Sequence, residues 1–143
     1  MSTGQKRVAM YVRVSTAQKQ TTLNQQIELE DVCRRNNWEI VEIYDETISG
    51  TKSIDDRKEL KRMLKDASSK YFDMVVIFSA CRIARSMKHL VSVMTHLDEV
   101  GCDIYSHQQG IRTDTSMGRM FFQLCGVMAE VENSIRLDRQ KIG

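Results

Sequence analysis

The sequence predicts an α/β fold: a mostly parallel sheet of four to five strands, flanked by helices and followed by a long C-terminal helix. Two observations carry this. Short apolar, β-branched runs bounded by polar residues recur along the chain and read as strands. Between them lie stretches with apolar residues at helical spacing. Strands that alternate with helices build a parallel sheet with helices on both faces. The 143 residues suffice for one domain with a real core.

The first strand lies in Arg7–Thr16, with Val8, Ala9, Met10, Tyr11, Val12 and Val14 apolar. Ala17–Thr22 reads as a loop. Leu23, Ile27, Leu29, Val32 and Cys33 then form a helical stripe that runs out near Asn36 and Asn37. Glu39–Tyr44 is the second strand. Asp45–Asp56 reads as a loop, with a turn signal at Ser49-Gly50. Leu60, Met63, Leu64 and Ala67 mark the next helix. Met74–Phe78 is the clearest buried strand. A polar segment, Ser79–Ser86, precedes a helix carrying Leu90, Val93, Met94, Leu97 and Val100, which Gly101 should stop. Asp103–Ser106 is a short fourth strand. His107–Thr115 is loop, with Ile111 open to joining an edge strand. From about Met117 to the end runs the long helix. Met117, Phe121, Leu124, Met128, Val131 and Ile135 follow a four-three alternation along it, with Met120 and Val127 widening the first half toward the domain. The narrower second half has the look of a coiled-coil seam and predicts self-association.

Composition narrows the options. Hydrophobic residues make up 41% and charged residues 28%, ordinary values for a globular protein. No stretch reads as a signal peptide or a membrane span, so a cytoplasmic location is expected. The four cysteines, Cys33, Cys81, Cys102 and Cys125, are scattered and show no zinc spacing. They are expected to be reduced and mostly buried. A net charge of +2 permits nucleic-acid binding without arguing for it.

The chemistry gathers at strand ends. Arg13 and Ser15 are two apart on the first strand and therefore share a face. Arg82 and Arg85 follow the third strand, and Asp45 and Arg57 follow the second. In open α/β sheets ligands bind beyond the carboxyl ends of the strands. Four arginines and a serine on one rim suit phosphate or phosphodiester chemistry, because guanidinium forks match phosphate oxygens and stay charged. No carboxylate cluster with metal-ligand spacing, P-loop or dinucleotide fingerprint is present, and no histidine adjoins Ser15. Alone, such a serine is usually a helix cap and such arginines are usually solvated. Their convergence is what favours a site.

Tyr11–Thr16 (YVRVST) resembles the nucleophile motif of the serine site-specific recombinases, the resolvase/invertase family. Asp45–Gly50 (DETISG) resembles that family's acidic segment ending in Ser-Gly, and Arg57 falls at its following arginine. Cys81–Ser86 (CRIARS) resembles its Asp-Arg-Leu-x-Arg-Ser segment. Gly118-Arg119-Met120 and Ala129–Glu132 resemble parts of its long oligomerisation helix. The resemblance spans Lys6 to Gly143. It implies that Ser15 attacks a DNA phosphate to form a 5′-phosphoserine link. Arg13, Arg82 and Arg85 would bind that phosphate with help from Arg57, and Gln26, Asp45 and Glu132 would support the site. It also implies double-stranded DNA as substrate, a dimer that becomes a tetramer in synapsis, a nucleoid-associated location, and no metal or cofactor. Residues 1–143 would be the catalytic domain, with the DNA-binding region expected beyond Gly143. Two positions depart from the pattern: Cys81 replaces an aspartate and Asn133 an arginine. They motivate a second reading, a catalytically weakened assembly module of the same fold. A small-molecule phosphate-binding domain is a third.

Overall fold

The computed structural model describes residues 5–15, 19–48, 58–79 and 87–142. The elements run β1 (Arg7–Ser15), α1 (Lys19–Arg35), β2 (Glu39–Ile48), α2 (Lys58–Ser68), β3 (Met74–Ile77), α3 (Met87–Glu99), β4 (Asp103–Ser106), β5 (Ile111–Arg112) and α4 (Ser116–Ile142). They form a five-stranded sheet ordered β2-β1-β3-β4-β5. The first four strands are parallel, and β5 is antiparallel to β4. The mostly parallel sheet is the architecture expected from the alternating pattern. Among the described residues no helix is long and apolar enough to cross a membrane.

The sheet separates two cores. On one face Val8, Met10 and Val12 of β1 meet Leu29 and Cys33 of α1 and Met74 and Val76 of β3. On the other, Ala9 and Tyr11 join Tyr44, Val75 and Ile77 under α2 and α3. The period-2 alternation of β1 is thus buried on both sides, which is why its apolar run is nearly continuous. Three cysteines, Cys33, Cys102 and Cys125, are buried free thiols. Burial pushes Cys33 up to about 11 and Cys102 up to about 12, so both remain protonated.

Several boundaries differ from the sequence reading. Helix α1 begins at Lys19, inside the expected loop. Leu23 and Ile27 are exposed, so the buried stripe of α1 is Leu29, Val32 and Cys33. Strand β2 runs on to Ile48, through the first part of the expected Asp45–Asp56 loop. It does so because β1 offers it a ladder to the end: Val12 to Ser15 pair in register with Asp45 to Ile48. Ile111 does join an edge strand, β5. Asn37 and Gly101 adopt positive φ (58° and 78°) just beyond α1 and α3, as helix stops do.

Helix α4 packs on α3 and β5. Its domain-facing residues are Gly118 and Cys125, both buried, with Phe121 and Phe122 half-buried beside them. Met120 and Val127, expected to widen the face toward the domain, are exposed instead. Phe121, placed on the seam by spacing, packs against the domain core. The helix is rotated relative to the periodicity reading because its first turn is fixed locally. The Thr115 hydroxyl donates to the Arg112 carbonyl at 2.6 Å, and the Gly118 N–H donates to Thr115 Oγ1 at 3.1 Å. Thr115 therefore caps the helix and ties it to β5.

Gly118 makes that approach feasible. A Cβ there would overlap the Arg112 carbonyl oxygen and come within 2.9 Å of Thr113 Cα. Gly118→Ala must therefore push α4 off β5, and should cost about 1–3 kcal/mol by overpacking. Differential scanning calorimetry should show the melting temperature lowered by roughly 3–10 °C. An unchanged melting temperature would mean the helix start yields freely.

Candidate active site

The strand order makes β1 the switch point of the sheet. The chain leaves β1 through α1 to reach β2 on one side, then returns through α2 to β3 on the other. In such sheets the crevice lies beyond the carboxyl ends of the two strands flanking the switch, here β1 and β3. Strand β1 continues four residues past its last pair with β3, Tyr11 with Ile77. Its rim portion, Val12 to Ser15, pairs only with β2 among the described strands. Two residues beyond the Tyr11–Ile77 pair stand Arg13 on β1 and, past the end of β3, Ser79, which is buried.

Arg13 is half-buried. It follows Ala9 and Tyr11 by alternation and so belongs to the α2 face of the sheet. Ser15 is the last residue of β1, its backbone in register with Ile48. Arg57, Cys81, Arg82 and Arg85 lie outside the described residues. Glu132 and Asn133 are placed on α4 by backbone alone. Gln26 is half-buried on α1, one turn before Leu29, and so belongs to the opposite layer from Arg13. The rim is where both layers are within reach.

The acidic position resolves differently from the sequence reading. Asp45 is an exposed residue of β2, in register with Val12 on the α1 face. Its neighbour Glu46 is in register with Arg13 and is only 5% exposed. The Glu46 carboxylate accepts three hydrogen bonds. Tyr11 Oη donates at 3.2 Å, Leu60 N–H at 3.0 Å and Glu59 N–H at 3.3 Å. Glu59 and Leu60 are the second and third residues of α2. Their N–H groups have no intrahelical partner, and a carboxylate at a helix N-terminus satisfies them and meets the positive end of the dipole. Glu46 thus caps α2 from the sheet, directly after the chain position of Arg57.

A bulge explains the exchange of acids. The register skips a residue of β2: Val8 pairs with Ile40 but Ala9 pairs with Glu42. Val41 and Glu42 therefore both serve the α2 side, Val41 against the core there and Glu42 in an ion pair with Arg62 at 3.2 Å. Strict alternation from Ile40 would put Asp45 beside Arg13, and the extra residue hands that place to Glu46. The one sequence signal for Glu46 was its position in the Asp45–Gly50 segment.

Among the described residues no group of three or more histidine, cysteine, aspartate or glutamate side chains is arranged to hold a metal. The described side of the rim offers a guanidinium, a backbone-anchored serine position and a buried capping carboxylate, arranged at the switch point of an open sheet.

These features define an α/β domain with its polar site at the β1/β3 switch. The chain belongs to the resolvase N-terminal domain family, whose model it matches over residues 8–143. It is 35% identical over 133 residues to the serine recombinase gin of Escherichia phage Mu, a match covering 93% of this chain and 63% of that protein. It is 33% identical to the Tn917 resolvase of Enterococcus faecalis, covering 93% of this chain and 66% of the relative. With the DNA-invertase hin of Salmonella typhimurium it shares 32%, covering 93% and 64%. The chain thus spans less than two thirds of the length of these relatives. Among solved structures, the N-terminal catalytic domain of TP901-1 integrase superposes with a TM-score of 0.77 at 26% identity, covering 91% of this chain and 98% of that one. A resolvase family site-specific recombinase from Streptococcus pneumoniae shares the fold, with a TM-score of 0.85 at 24% identity over 96% and 95% of the two chains.

Glu46→Gln replaces one acceptor oxygen by a donor facing donors. It should destabilise the domain by about 1–3 kcal/mol and raise amide exchange at Glu59 and Leu60. Urea unfolding read together with hydrogen-exchange mass spectrometry checks both, and an unaltered midpoint would contradict the capping role.

Proposed function

We propose that this chain is the catalytic domain of a serine recombinase that cuts and rejoins double-stranded DNA. The observation that carries the reading is the placement of Arg13 and Ser15 at the rim of the switch-point strand, in a chain of the resolvase family. In this reading Ser15 Oγ attacks the scissile phosphorus. The P–O bond to the 3′ oxygen breaks, that oxygen takes up a proton, and a 5′-phosphoserine link remains. Rejoining reverses the step, so the phosphodiester energy is kept and neither a metal nor a cofactor is called for. Arg13, Arg82 and Arg85 neutralise charge on the phosphate oxygens, with Arg57 beside them, as fixed cations do in phosphoryl transfer. Gln26, Asp45 and Glu132 are supporting residues in the family pattern. Glu46 joins them here as the acid that holds α2 at the level of Arg13. The reading also places the protein in the cytoplasm, associated with the nucleoid.

The substrate arm of the test uses the full-length protein and its cognate DNA site. A covalent protein–DNA adduct should be trapped with wild type and be lost entirely in Ser15→Ala. An adduct that persists in Ser15→Ala would remove Ser15 as nucleophile.

Self-association is the second part of the proposal. Met117, Met120, Leu124, Val127, Met128, Val131 and Ile135 are all about half-exposed or more along α4, an apolar face that a second copy would cover. Phe121 is excluded from this face by its packing. Val131→Lys or Ile135→Lys should shift the oligomer toward monomer with little change in melting temperature. Analytical ultracentrifugation showing an unchanged species distribution would contradict this. The weakened assembly module remains the second reading because of Cys81 and Asn133. It predicts oligomers without adduct in the same pair of experiments.

A further inference from the structure

Among the described residues, the His107 side chain touches both α1 and the exit of β3. His107 follows β4 directly. Its backbone N–H donates to the Ile77 carbonyl at 2.9 Å, and the next N–H, of Gln108, donates to the Phe78 carbonyl at 2.7 Å. These bonds carry the β3–β4 ladder past its last strand pair and hold the exit of β3, whose next residues lead to Arg82 and Arg85. The imidazole lies against the Phe78 ring, with centroids 5.8 Å apart. Its Nε2 stands 2.8 Å from Glu28 Oε2 of α1, and its Nδ1 stands 3.1 Å from the Tyr105 hydroxyl.

Both ring nitrogens are therefore engaged in a defined arrangement. A proton on Nε2 is donated in a hydrogen bond to the Glu28 carboxylate. The Tyr105 hydroxyl can donate to a bare Nδ1 or accept from an N–H there, so it pairs with either tautomer. Burial pushes the Tyr105 phenol up, which keeps it a hydroxyl. Helix α1 is the next element of the chain after β1, which ends at Ser15, and Glu28 sits two residues beyond Gln26. The ring is about three-quarters buried, whereas Glu28 is half-exposed. A half-exposed polar contact of this kind contributes little stability by itself. Its effect is geometric: it joins the layer carrying Gln26 to the exit of β3.

We infer that His107, through Glu28, is a positioning residue that fixes α1 relative to the exit of β3 and so sets the geometry between the carboxyl ends of β1 and β3 at the rim. The inference rests on the recombinase reading and adds a residue to it. Small misplacements of reacting groups reduce rate far more than they reduce binding.

The test uses full-length protein on its cognate site. Single-turnover rates of Ser15-dependent adduct formation are measured beside DNA affinity for wild type, Glu28→Gln, His107→Ala, His107→Gln and the double variant Glu28→Gln/His107→Ala. His107→Ala and Glu28→Gln should each slow adduct formation about tenfold with DNA affinity unchanged. The double variant should be no slower than the worse single variant, because both act through one contact. His107→Gln, which can still donate to Glu28, should recover part of the rate. Hydrogen exchange of the same proteins without DNA should rise at both α1 and residues 77–79 in His107→Ala. A wild-type rate in His107→Ala, multiplicative effects in the double variant, or exchange raised on one side only would each overturn the inference while leaving the recombinase reading intact. Absence of any Ser15-dependent adduct with wild type would overturn both.

Discussion

The register of β1 is the constraint on which the rest of the site depends. Its residues from Val8 to Val12 are buried on both faces, between α1 on one side and α2 and α3 on the other. A slip of one residue would exchange the faces of every side chain on the strand. It would move Tyr11 away from Glu46 and Arg13 away from the α2 layer. Two apolar cores on opposite sides of one strand leave it no tolerance for that slip. The polar rim inherits its geometry from this, as a four-residue extension of a strand whose position is set by burial.

The second determinant is how the helices are tied to that rim. Helix α2 is held by a carboxylate from β2, which ties its N-terminus to the sheet. Helix α4 is held by Thr115 and by the absence of a side chain at Gly118, so its start is placed by β5. Helix α1 is held along its length by Leu29, Val32 and Cys33, and at Glu28 by the loop after β4. Helices α1 and α2 are thus each anchored by a tertiary contact close to a proposed functional position, Gln26 and Arg57. Local helix propensity does not achieve this. Such anchoring is what phosphoryl chemistry requires of a site built from fixed cations.

Helix α4 has two apolar faces, one enclosed by the domain and one exposed. Cys125 and Gly118 are enclosed by the domain, with Phe121 and Phe122 packed beside them, while Met117 to Ile135 keep a continuous apolar row on the outside. The row follows the four-three spacing on which the proposed self-association rests.

The strand and helix pattern was legible in the sequence because backbone periodicity is local: two residues per repeat in a strand and about 3.6 in a helix. The pairing of Arg13 and Ser15 at a strand end, the order of the arginine segments and the four-three spacing of the last helix were legible for the same reason. Tertiary structure alone decided three things. It chose Glu46 over Asp45 beside Arg13, because a bulge at Val41 shifts which side chains of β2 face α2, and bulges follow from pairing with β1. It turned α4 so that Phe121 faces inward and Met120 and Val127 outward, because the cap at Thr115 and the contact at Gly118 set the helix's rotation. It brought His107 against Glu28, 79 positions apart along the chain, because the strand order lays the end of β4 beside β3 under the α1 layer. A local repeat carries information about its own faces, whereas which neighbour each face meets depends on residues far away in the chain.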